Sequence, residues 1–165
     1  MKKMKFLLVS MLVMASAVFN VMSAKVIGVP TKGNAVMNPR DAQIVKVAES
    51  SNAHLTGNPL QFDFFGSGDK AVFDINNSMK KAYTISFEAA SAIFGASVQM
   101  IVTDADGNEE MNQTISINRG GWADFGEYSI NTPVLGKGKK KFTVVFLNKK
   151  GSGVTVNVRN IKFEK

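Results

Sequence analysis

The sequence predicts an all-β fold, a single-domain sandwich of two antiparallel sheets, on three observations. Beyond residue 40, short runs rich in β-branched and aromatic residues alternate with Gly, Asn, Asp and Ser clusters, and almost no apolar spacing fits a helix. The stretch "YTISFEA" alternates cleanly: Tyr83, Ile85, Phe87 and Ala89 share one parity, Thr84, Ser86 and Glu88 the other. One buried and one wet face is what an antiparallel sheet in a sandwich requires. Finally, the chain has no cysteine, which excludes a disulfide scaffold and thiolate metal sites, and the 141 residues after position 24 suffice for one real core.

The elements follow in chain order. Lys2, Lys3 and Lys5 precede an apolar run from Phe6 to about Val13, followed by small residues at Ala15, Ser16 and Ala17 and again at Ser23 and Ala24. This order reads as a secretory signal peptide over residues 1–24, and the run is too short to span a bilayer. Cleavage after Ala17, Ser23 or Ala24 fits; the later pair leaves Lys25 to begin a polar chain. The expectation is an exported protein, secreted or periplasmic, without membrane insertion. Residues 25–43, with Pro30, Gly33 and Pro39, read as an extended leader or a first edge segment.

The sandwich is expected over 44–165, with strands at 44–48, 60–65, 71–75, 83–89, 97–103, 112–117, 127–131, 141–147 and 154–163. In the last, Val154, Val156 and Val158 share one parity while Ile161 and Phe163 share the opposite one. Both sets reach one core only if an extra residue intervenes, which predicts a bulge near Arg159–Asn160 and turns Thr155, Asn157 and Arg159 away from the core. "DADGNE" (104–109) is a hairpin turn by composition. Its carboxylate spacing loosely resembles a calcium loop, but its glycine comes too early for a helix–loop–helix site.

Charge excludes one class of partner. Beyond residue 24 there are 17 basic and 13 acidic residues, a net +4. No arginine-rich groove or paired-aromatic motif accompanies that excess, so nucleic acid is not expected. The lysines of "KGKKK" (137–141) and "NKKG" (148–151) flank the apolar run "FTVVF" and read as solvated strand ends, with attraction to an acidic polysaccharide as a minor alternative. Catalytic signatures are sparse. His54 lies in "SSNAHLTGNP", a loop composition, with no second histidine, no cysteine and no Gly-x-Ser-x-Gly elbow in the chain. Asp124 and Glu127 near Trp122 would serve glycoside hydrolysis only by flanking a sugar at a defined separation; surface acids are the ordinary explanation. No enzyme is expected.

The only tryptophan stands in "SINRGGWADFGEY" (116–128), after an arginine and two glycines. It either folds over the sandwich end as a plug or projects from a loop as a platform. The segments around it carry a family resemblance. "SGDKAVFDINNSMKKAYTISFEAAS" (67–91), "GGW" (120–122), "SINTPVLGKGKKKFTVVF" (129–146) and "VTVNVRNIKF" (154–163) resemble, in order and spacing, the corresponding segments of family 6-like carbohydrate-binding modules. The resemblance covers roughly residues 60–163 and implies a galactose-binding-like β-jelly roll that binds glycans without catalysis.

It implies that Trp122 stacks on a sugar ring and that Asn157 of the closing strand hydrogen-bonds hydroxyls, with Arg119 as a neighbouring donor. An indole suits the C–H face of a pyranose, and a carboxamide both donates and accepts. Two departures stand out. The position after Gly-Asp, aromatic in many such modules and the opposite wall of the cleft, is Lys70 here, leaving Phe65 or its neighbour Phe64 to supply that wall. The Ala-Glu that helps hold a structural calcium in those modules has only "VAES" (47–50) as a counterpart, so the calcium is left open. The expected partner is a polysaccharide or other glycan; the alternative is a secreted structural or protein-interaction sandwich whose sugar site is lost.

Overall fold

The computed structural model describes residues 25–30, 32–47, 51–151 and 153–165. The expected signal peptide lies outside these residues, as does most of "VAES". Among them, two six-stranded sheets face each other. One runs β1 (Ile27–Val29), β6 (Lys70–Asn77), β11 (Gly138–Asn148), β8 (Ala96–Asp104), β9 (Glu109–Ser116), with β3 (Gln43–Val45) also on β6. The other runs β10 (Gly121–Asn131), β7 (Thr84–Ser91), β12 (Asn157–Glu164), β5 (Gln61–Asp63), β4 (His54–Thr56), with β2 (Ala35–Val36) also on β12. Pairing is antiparallel throughout except β1 on β6.

Alternation explains the core. Ala71, Phe73 and Ile75 of β6, Ile85, Phe87 and Ala89 of β7, and Val98, Met100 and Val102 of β8 are all buried, each on one parity of its strand. Aromatic rings lock the two sheets together. Phe62 meets Phe73 and Phe146 edge-on at 6.2 and 5.8 Å, and Phe163 meets Phe142 at 5.0 Å. Such pairs add to plain area burial. Phe62 is fully buried among them, so Phe62→Ala should lower stability by about 3–5 kcal/mol, read by denaturant unfolding.

The parity switch in the last strand resolves as expected: register shifts between Arg159 and Lys162, and Asn160 takes φ 53°. Three readings need correction. The last strand begins at Asn157, because Val154 makes only an isolated bridge to Gly66. His54 is no loop residue; it opens β4 opposite Asp63, a three-residue strand too short to show a period. β10 begins at Gly121 rather than 127, which takes Trp122 out of its expected loop and into the strand's first turn of chain.

Topology sets where a site can form. β3, β5, β7, β9 and β11 all end, and β4, β6, β8, β10 and β12 all begin, at one end of the sandwich. The connections 46–53, 64–69, 92–95, 117–120 and 149–156 therefore cluster there.

Candidate functional site

The site is built on an irregularity of β10. Gly121 pairs with Ser91 and Gly126 with Ala89, so four residues of β10 (122–125) stand against one, Ala90, of β7. The surplus arches over the outer face of the sheet. Ala90 has the parity of the outward-facing Ser86 and Glu88, yet it is fully buried because the arch covers it.

Three contacts pin the arch. The Asn157 amide donates to the Trp122 carbonyl at 3.1 Å. Arg119 donates from Nε to the Asp124 carbonyl at 3.0 Å and from Nη2 to its carboxylate at 2.6 Å. The Phe125 ring lies under the Arg159 guanidinium, 3.7 Å from its centroid, and Arg159 is itself held by Glu88 at 2.7 Å. Gly126 permits this closeness, since a Cβ there would sit 3.1 Å from the Arg119 guanidinium carbon. The product is a fixed arch carrying an indole that is 38 % exposed.

Glu88 ties the arch to pH. Hydrogen bonds from Asn160 and from Arg159, with the latter's charge, hold its carboxyl below the usual glutamate range against the opposing effect of burial. A depressed folded-state value means the stabilisation is complete above the unfolded glutamate value and is lost as pH falls through the folded one. The melting temperature should therefore drop on acidification below about pH 4.5, and Glu88→Gln should flatten that part of the profile in a thermal-shift series.

Phe64 and Phe65 diverge at a strained residue. Phe64 takes φ 58°, a left-handed conformation that a bulky side chain adopts at a cost. Asp63 supports the turn by accepting the Phe64 amide at 2.9 Å, while its other oxygen accepts from Thr56 and Gln61. The Phe64 ring emerges 46 % exposed and stacks on His54, centroids 5.1 Å apart and 16° from parallel. Phe65 turns the other way. It is fully buried against Phe62 and Phe146 and shows no face to a ligand, which removes it as a cleft wall.

The other expected residues fall as follows. Asn157 is 4 % exposed, and its carbonyl oxygen is buried with no hydrogen-bond partner among the described residues. It lies between the two rings, because β12 sits beside β5 and Asp63 precedes Phe64 at the same level. Arg119 gives two of its five donors to Asp124 and so braces the arch. Lys70 opens β6 in the opposite sheet; with Ala71, Phe73 and Ile75 turned inward, it faces out from that sheet and away from Trp122 and Asn157. Sequence reasoning tied Lys70 to the cleft through its neighbour Asp69. That aspartate is fully buried and accepts from the Gly66 and Val47 amides and the Ser51 hydroxyl, which is structural work.

Asp124 and Glu127 do not form a catalytic pair. Asp124 is bound to Arg119, and Glu127 lies beyond the arch, opposite Glu88 on β7. The turn at 104–109 is closed by its own aspartate. Asp104 accepts from the Asp106 and Asn108 amides and the Asn108 side chain, which lowers its pKa. No three histidine, aspartate or glutamate side chains converge among the described residues. A separate open groove of about 430 Å³ lies farther along the outer face, lined by Ser86, Glu88, Glu127, Ser129, Lys162 and Glu164.

No family profile matches the chain, and no curated protein matches it. Solved structures do. A family 6 carbohydrate-binding module from Clostridium stercorarium, determined with cellobiose, aligns with a TM-score of 0.59 at 16 % identity, covering 86 % of this chain and 98 % of the module. The C-terminal family 6 module of a marine laminarinase from Zobellia galactanivorans aligns at 0.56 and 18 %, covering 75 % and 99 %. A native family 35 module from Clostridium thermocellum aligns at 0.58 and 19 %, covering 79 % and 96 %. The chain has the jelly-roll fold of these modules over nearly their whole length.

Proposed function

We propose that the protein is an exported, non-catalytic glycan-binding module whose cleft lies at the loop end, walled by Trp122 and Phe64. The observation that carries this reading is the pinned arch, which holds an indole open to solvent where folding alone would bury it. The Trp122 carbonyl is held by Asn157 of β12, and Phe64 follows β5, the next strand, so both exposed rings belong to the same end of this sheet. Sugar C–H faces stack on aromatic rings, while the rim hydroxyls need polar partners. Similarity of fold to modules solved with cellobiose, xylose or cellotriose supports a glycan over other ligands.

The test uses the protein's single tryptophan. A glycan array selects ligands, and titration of each should change Trp122 emission saturably. Phe64→Ala should weaken the same ligands about tenfold, the loss of one aromatic wall. An array and titrations in which no glycan binds would remove the reading.

A further inference from the structure

A third exposed ring, with a cationic neighbour, stands at the same end of the sandwich as the proposed cleft. Phe94, in the connection between β7 and β8, is 88 % exposed, the most open of the large apolar side chains among the described residues. It follows Ser91, the residue paired with Gly121 beside Trp122, so it stands at the same end of the sandwich on the side toward the other sheet. Lys149 is laid across this loop. Its stem fills the space beside Gly95, where an added Cβ would meet Lys149 carbons at 2.7 Å, and its ammonium sits 5.2 Å from the Phe94 centroid. That contact holds the cation beside a ring that stays open to solvent.

Charge on three of the five connections at this end is one-sided. The connections 92–95, 117–120 and 149–156 contain no carboxylate and contribute Arg119, Lys149 and Lys150. Arg119 is neutralised by Asp124, and Asp63 lies across the cleft beside Phe64. Lys149 and Lys150 are exposed and make no ion pair among the described residues.

Building on the proposed glycan cleft, we infer that Phe94 and Lys149, with Lys150, form a flanking subsite for an anionic sugar residue, one that carries a carboxylate or sulfate ester. The ring takes the C–H face and the ammonium groups take the anion. A neutral glycan gains only the stacking.

The test compares cello-oligosaccharides with the same chains oxidised to uronate at C6, by calorimetry at low and high salt. The oxidised chain should bind the wild type at least about tenfold more tightly at low salt, a charged-contact advantage that salt screens. Lys149→Ala/Lys150→Ala should erase that difference, and Phe94→Ala should weaken both chains. Equal binding of the two chains, or a preference that survives the double substitution, overturns the subsite alone. If neither chain binds, the subsite falls too, and if array glycans fail as well, so does the cleft itself. Retention of an acidic protein by the lysine pair, with no preference among glycans, would reassign the patch to a protein partner and also overturn it.

Discussion

Trp122→Ala is expected to reduce glycan affinity by about 30- to 1000-fold, the range for losing a central aromatic anchor. In the proposed cleft the indole is one of two aromatic walls, and its backbone carbonyl is bonded to Asn157. The substitution keeps that carbonyl and leaves the other pins of the arch, Arg119 on Asp124 and Phe125 on Arg159, in place as well. Stability should therefore change little, with a melting temperature within about 5 °C of the parent. Affinity electrophoresis with the array's best polysaccharide reads the first quantity and calorimetry the second. Undiminished retention of the variant would show that the indole is not the platform. A large fall in melting temperature would show it to be a plug.

Asp69→Ala should carry the largest stability loss of any single polar substitution near the site, about 3 kcal/mol, or roughly 10 °C in melting temperature. The Asp69 carboxylate is fully buried and organises two loops at once, accepting from Gly66 in the Phe64–Asp69 turn and from Val47 and Ser51 in the preceding connection. Truncation strands those donors without water. Asp69→Asn should cost less, because an amide keeps one acceptor oxygen. The loss should reach binding too, since the same turn presents Phe64. An alanine variant that melts within about 2 °C of the parent would show that the donors find other partners and that Asp69 does not set the loop.

How much was legible differs between fold and site. Strand pairing depends on period-two burial, and a single sequence displays that period wherever a strand is long enough. Hence the seven-residue alternation at 83–89 and the parity switch at Arg159–Asn160 were readable. β4 and the two short strands of the first segment hold two or three residues each, too few to show any period. The choice between Phe64 and Phe65 was undecidable for a similar reason. Adjacent residues of one type give no signal for which is turned out, and the answer depends on a left-handed φ held by Asp63.

Trp122 itself was found, through its rarity and its glycines, while its support was not. Asn157 from β12, Arg159 beyond it and Phe125 from the arch meet only because four residues of β10 stand against one of β7. Register between distant strands is set by packing, and no local pattern encodes it. Lys70 shows the reverse error: sequence adjacency to a motif placed it at the cleft, while sheet parity points it outward.

The sequence by itself determined the class of fold, the absence of disulfide and thiolate chemistry, and the identity of the one aromatic worth testing first. These follow from composition and from local periodicity, which are properties of the unfolded chain. Only the folded protein reveals that Phe64 rather than Phe65 turns outward, that Asn157 holds the Trp122 carbonyl, and that Lys149 lies against Phe94. Those are relations between residues far apart in the chain, created only when the two sheets close on a shared core.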